Sequence, residues 1–129
     1  MHLVPVDRLS RRILDGELVC EALGAIDDAG DVGALAQRFK ILADPSRLTL
    51  LLCIHRAGPI SVTDLAVAAD LNDTTVSQAL RLLRAGGTVT AHRDGRVVRY
   101  QLADQAIADL LDGILSRSGA VSQRGHAAH

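Results

Sequence analysis

A mainly α-helical fold closed by one two-stranded β-hairpin is what this chain of 129 residues predicts. Three observations carry that expectation. Residues 61–83, SVTDLAVAADLNDTTVSQALRLL, read as two helices around a tight polar turn at 70–73. Directly after them, TVTAHRDGRVVRYQL alternates apolar and polar positions around Asp94-Gly95, the pattern of a hairpin. The composition is 48% hydrophobic but only 2% aromatic, so the core has to come from Leu, Val, Ala and Ile. Such side chains suit packed helices better than a β-sandwich.

The length fits one domain with a real core. It divides into an arm at 1–14, a domain at 15–116 and a flexible tail at 117–129. Pro5 and a mixed pattern leave the arm without a clear element of its own. Residues 15–28 place Leu18, Val19, Ala22, Leu23 and Ile26 on one helical stripe. Gly30 breaks that helix and Asp31 can cap the next, 32–42, which is expected to bury Leu35, Phe39 and Leu42.

Asp44-Pro45 is a strong helix start, because Asp accepts free amides and Pro fits the first turn. The helix that follows, 45–56, carries Leu48, Leu51, Leu52 and Ile54 and is apolar around most of its circumference, which places it mid-domain. Gly58-Pro59 ends it. Ser61 with Asp64 resembles a capping box for the first helix of the 61–83 pair, and Asn72 caps the second, which Gly86-Gly87 terminates near Ala85. Strands 89–93 and 96–102 are expected to join through Asp94-Gly95 as a two-residue turn. A last helix starts at Ala103-Asp104 and carries Ile107, Leu110, Leu111, Ile114 and Leu115 as a stripe with little left to cover it.

Helix, turn, helix and an Arg-rich hairpin, in that order, make a winged helix-turn-helix, and the function this implies is DNA binding. The net charge of −1 hides an uneven distribution: residues 1–44 sum to −3, 45–101 to +3 and 102–129 to −1. All five bases from Arg81 to Arg99 are arginines, opposed only by Asp94. Arginine offers a planar fork to phosphates and guanine edges that lysine cannot match. On the second helix Thr74, Thr75, Ser77, Gln78 and Arg81 form the polar face, against Val76, Leu80 and Leu83. Gln78 can bond adenine bidentately, Arg81 suits guanine or phosphate, and Thr75 and Ser77 suit register-setting phosphate contacts. In the hairpin Arg93, Arg96 and Arg99 are candidates for phosphate or minor-groove contacts, with His92 adding charge when protonated. Two of these three arginines have the alternative of pairing with acids across the hairpin.

By LADPSRL at 42–48, VTDLA at 62–66, TVSQALRLLRAGG at 75–87 and DGRVVRYQL at 94–102, the chain resembles the ArsR/SmtB family of repressors. The likeness covers about residues 35–116. It implies a dimeric winged-helix repressor, paired through its first and last helices, that binds an inverted-repeat DNA operator and is usually released by a metal ion. One departure falls on the reading helix, where Ala79 stands at a position that is often His in the family.

The family's common metal ligands on the last helix map to Asp104, Ala106, Arg117 and Ala120, so three of four are missing. Its cysteine sites map to Val62 and its neighbours, or to Leu82 and Gly86, and are absent too. Asp104 has an ordinary role as a helix cap. The remaining metal candidates are His2, His126 and His129 with Asp104. A histidine-carboxylate set of that kind favours nickel, cobalt or zinc over thiolate-seeking cadmium or lead. Of the other imidazoles, His55 lies two residues from Cys53, and that spacing points the two apart on a helix.

A non-metal signal is the alternative, such as thiol oxidation at Cys20 or a partner protein; a winged helix used for protein contact is a third reading, opposed by the arginine clustering. Cys20 and Cys53 form no CxxC and read as ordinary buried thiols rather than a disulfide. No apolar run approaches the roughly 20 residues that span a bilayer, and no signal peptide is evident, so a soluble cytoplasmic protein is expected. An enzyme is not: phosphate loop, nucleophile elbow and His-Glu-x-x-His are all missing.

Overall fold

The computed structural model describes residues 4–8 and 11–127, with side chains as far as Ser116. Among these residues a 3-10 turn, Val6–Arg8, precedes six α-helices and three strands: α1 Gly16–Ala29, α2 Val32–Leu42, α3 Pro45–Ala57, β1 Ile60–Ser61, α4 Val62–Ala69, α5 Asp73–Ala85, β2 Val89–Asp94, β3 Val97–Leu102 and α6 Gln105–Ala127. The chain forms two compact units, 1–40 and 41–129.

In the first unit, Asp15 caps α1 by accepting from the amides of Glu17 and Leu18, and Gly30 leaves the helix at φ 75°. Asp31 caps α2 through the amide of Ala34 at 3.1 Å. The burial expected of α2 is corrected: none of its residues is fully buried, and Phe39 is 50% exposed. Leu18 and Ile26 on α1 are likewise more than half exposed. Their periodicity marks apolar stripes correctly, but a stripe says nothing of whether one chain alone supplies its cover.

The second unit holds the core. Leu50, Leu51 and Ile54 of α3 pack with Leu65 of α4, Val76, Leu80 and Leu83 of α5, Val89 of β2, and Ile107 and Leu111 of α6. Each such side chain contributes about 1.5–3 kcal/mol when removed from water. α3 is held at its start by Asp44, which accepts from the Arg47 amide at 2.9 Å, and by Pro45 in the first turn. Ile107 and Leu111 amend the expected bare stripe on α6: these two of its five residues belong to the core, while Ile114 stays 45% exposed.

The sheet has three strands in the order β1-β3-β2, all antiparallel. β1 was not expected, because two residues are too few to show alternation; Ile60 opposite Tyr100 and Ser61 opposite Arg99 define it only by long-range pairing. The hairpin turn also moves by one residue. Asp94 pairs with Val97, leaving Gly95 and Arg96 as the loop. Gly95 sits at φ 64°, as a type II′ turn requires at its first central position, so Asp94 extends the strand instead of turning.

α6 extends to Ala127, well beyond the last residue of the apolar stripe, and helical backbone continues through most of the segment read as a tail. No proline follows Pro59 to stop it. No helix among the described residues is long and apolar enough to cross a membrane.

Candidate nucleic-acid interface

α4 and α5 are joined by a short turn whose geometry follows from three polar residues. Ser61 caps α4 through the amide of Asp64. Asp70 ends α4 in the left-handed conformation at φ 56°, which Asp tolerates better than most residues. Asn72 then starts α5 by accepting from the Thr75 amide at 2.8 Å. Two helices with fixed ends and almost no slack between them form a rigid helix-turn-helix.

α5 is strongly two-faced. Val76, Leu80 and Leu83 are at most 1% exposed and lock the helix to the core. Thr74, Ser77, Gln78 and Arg81 are exposed at i, i+3, i+4 and i+7, one stripe along the opposite side. Thr75 is half-buried beside its cap and so contributes less to the exposed face than its neighbours.

Cross-strand register sorts the wing residues onto two faces. Val89 and Ala91 lie opposite Leu102 and Tyr100 on the face that includes core residues. Thr90, His92 and Asp94 lie opposite Gln101, Arg99 and Val97 on the other. There the Arg99 Nε stands 3.3 Å from Asp94 Oδ2, and the Thr90 hydroxyl is 3.2 Å from His92 Nε2. Arg99 is therefore engaged within the hairpin, one of the two alternatives its sequence position allowed. Arg93 and Arg96 are exposed at the tip, and no ion pair ties either of them to another described residue.

The structure joins helix and wing through residues that pattern reading passed over. Ser77, Arg81, Arg84, Ala85 and Tyr100 line one open groove of about 570 Å³ between α5 and β3. Arg84 was legible as the next turn of the Arg81 stripe, at i+3; Tyr100 was not, because its place depends on strand register.

The metal candidates fare differently. Asp104 accepts from the amides of Ala106 and Ile107 at 3.0 and 3.3 Å, which makes it the cap of α6. His2 and His129, and the side chain of His126, lie outside the described residues. Among the described residues no group of three or more His, Cys, Asp or Glu is placed to hold a metal ion. Cys20 and Cys53 are both free thiols, half-buried.

No protein-family model matches the chain. Individual relatives do. It is 41% identical to the HTH-type transcriptional regulator NmtR of Mycobacterium tuberculosis over 91 residues, 70% of this chain and 75% of that one. With the HTH-type transcriptional repressor SmtB of the same organism it shares 30% identity over 118 residues, 92% of this chain and 81% of the relative. Among solved structures, it superposes with a TM-score of 0.56 and 29% identity on a homodimeric winged helix-turn-helix DNA-binding domain from Mycobacterium bovis, described as a possible ArsR-family transcriptional regulator. The match covers 79% of this chain and 90% of that one. A capped helix-turn-helix, an arginine-bearing wing and these relatives agree: the chain belongs to the ArsR/SmtB family of DNA-binding transcriptional repressors.

Proposed function

We propose that this chain represses transcription by binding an inverted-repeat operator as a homodimer, with α5 in the major groove and the wing tip against the adjacent backbone. The observation that carries this reading is the exposed stripe Thr74, Ser77, Gln78 and Arg81 on a helix whose other face is fully buried. Gln78 and Arg81 read base edges, Ser77 and Thr74 set register, and Arg93 and Arg96 add phosphate contacts. Homodimerisation is supported by the homodimeric relative from M. bovis and by exposed apolar side chains on α1 (Leu18, Ile26) and on α6 (Ile114). A two-fold pair would place two reading helices about one turn of duplex apart, hence the inverted repeat.

The signal is a separate question. Family resemblance points to a metal ion, and the candidate histidines with one carboxylate point to one of the nickel, cobalt or zinc type. Among the described residues Asp104 caps α6, Ala106 stands at a ligand position, and no group of three or more His, Cys, Asp or Glu is placed to hold an ion. A metal response in this chain would have to draw on His2, His126 and His129. The second reading is a repressor of the same architecture that answers to a non-metal signal such as oxidation at Cys20 or a partner protein.

Fluorescence anisotropy of the purified protein on DNA from upstream of its own gene, at fixed salt and with and without each metal, tests both levels. Saturable binding that outcompetes random duplex supports the operator reading, and absence of binding at low salt overturns it. A metal-induced loss of affinity that disappears on truncation after Ser118 assigns the signal to the terminal histidines. A change below about 1 kcal/mol leaves no useful coupling and selects the non-metal reading.

A further inference from the structure

We infer that the groove between α5 and β3 is a seat for a single backbone phosphate of the bound duplex, with Arg84 and Tyr100 as contact residues beyond the reading helix's exposed stripe. The inference rests on the operator-binding reading and deepens it. Five residues line the groove: Ser77, Arg81, Arg84, Ala85 and Tyr100. Two are guanidinium groups three residues apart on one helix, so they project from the same side and repel one another. No acid lines the groove, and no ion pair engages either arginine with a described residue. By contrast Arg99, one strand position from Tyr100, is matched by Asp94. Arg93 and Arg96 are also without an ion pair but stand on the exposed wing tip, whereas here two charges converge in one concavity.

With Arg81 reaching from the groove toward the base edges, the site keeps one unmatched fork at Arg84, one aliphatic hydroxyl and one phenol, so its polar side holds only donors and neutral O–H groups. That set suits a tetrahedral oxyanion, whose oxygens accept several charge-assisted bonds at once. A base edge, which offers donors as well as acceptors, would leave some of the groove's donors facing donors. The location decides which oxyanion. The groove runs from the reading helix to β3, the central strand of the sheet that carries the wing, and on this inference the sugar-phosphate backbone crosses it when α5 occupies the major groove. A phosphate seated there fixes the helix and wing on one strand together.

Such a contact gives affinity without sequence information. Arg84→Gln should weaken binding about tenfold on both the upstream DNA and random duplex, leaving their ratio unchanged. It should also make the slope of log K against log salt shallower by about 1 per subunit. Arg84→Lys should restore the slope but not the full affinity, because the point charge returns without the fork. Tyr100→Phe should cost a few-fold and leave the slope alone. In a methylphosphonate scan of the duplex, one phosphate per half-site should be sensitive in the wild type and insensitive in Arg84→Gln. Gln78→Ala is the control, since it should lower only the preference for upstream DNA.

If the wild type binds no duplex, the operator reading falls and this inference with it. If the wild type binds, Gln78→Ala loses preference, and Arg84→Gln keeps the wild-type slope and methylphosphonate profile, the phosphate seat alone is overturned. Inorganic phosphate, matched to chloride for ionic strength, should not displace DNA; displacement beyond the chloride control would assign the groove to a free anion and sink the duplex assignment.

Discussion

His55 on α3 and Asp112 on α6 meet at 2.6 Å, Nε2 to Oδ1, and tie the central helix of the core to the last helix. The partners differ in setting: the imidazole side chain is 19% exposed and the carboxylate 67%. One turn of α6 beneath them is already anchored by Ile107 and Leu111, both fully buried. Packing and polar contact thus act on the same few residues, and their magnitudes decide which holds α6.

An ion-type contact with one solvated partner is worth about 0–1 kcal/mol. A buried leucine truncated to alanine costs about 2–5 kcal/mol. Asp112→Ala is therefore expected to lower unfolding free energy by less than about 1 kcal/mol, and Leu111→Ala by several times that. Urea unfolding of both variants checks the ranking. A reversed order would show that α6 is held by charge and not by its apolar face.

Asp104 offers a test that separates a cap from a metal ligand. Asn caps helices as well as Asp does, whereas Ala leaves the amides of Ala106 and Ile107 without their acceptor. Asp104→Asn should keep wild-type stability and Asp104→Ala should lose about 1 kcal/mol. Thermal melts in the presence of chelator read this directly. Equal stability in the two variants, together with loss of a metal response in both, would move Asp104 into a ligand set.

On the reading helix, Arg81→Ala should weaken binding to the upstream DNA by roughly 1–3 kcal/mol and relax its preference over random sequence. Arg96 lies in the hairpin loop beside Gly95, with its side chain exposed. Arg96→Ala should lower affinity for all duplexes alike and flatten the salt dependence. Anisotropy titrations across a range of salt distinguish the two. Identical behaviour of both variants would remove the division between base reading and backbone contact.

Gly58 follows α3 where the chain turns toward the sheet and leaves no room for a side chain. A Cβ there would lie 2.5 Å from the Ile54 carbonyl oxygen and 3.1 Å from that of Tyr100. Both are backbone atoms, one in a helix and one in the central strand, so neither can move aside cheaply. Gly58→Ala should destabilise the domain by about 1–3 kcal/mol through forced backbone shifts. A denaturation midpoint equal to wild type would mean that the strand yields.

Most helices were legible because their signals are local. Asp31, Asp44, Ser61, Asn72 and Asp104 each accept from an amide two or three residues ahead, so type and position in the sequence suffice to name them. The polar stripe of α5 was equally readable, since i, i+3, i+4 spacing is a property of the helix itself. The turn at Gly95-Arg96 was misplaced by one residue because Asp-Gly and Gly-Arg are both competent turn pairs; pairing of Asp94 with Val97 chose between them. Phe39 shows the complementary error, an apolar residue in register with its stripe that one chain leaves half exposed.

What the order of residues alone determined was the helices from α1 to α6 with the wing hairpin, the reading helix with its polar face, and the family. All of these depend on spacings of a few residues, where backbone geometry is nearly the same in any context. What tertiary structure decided was every relationship across long separations: β1 against β3, His55 against Asp112, and Tyr100 beside Arg81 and Arg84. Those pairs are fixed by core packing and strand register, in which each partner's place depends on the whole hydrophobic set and not on its own neighbours.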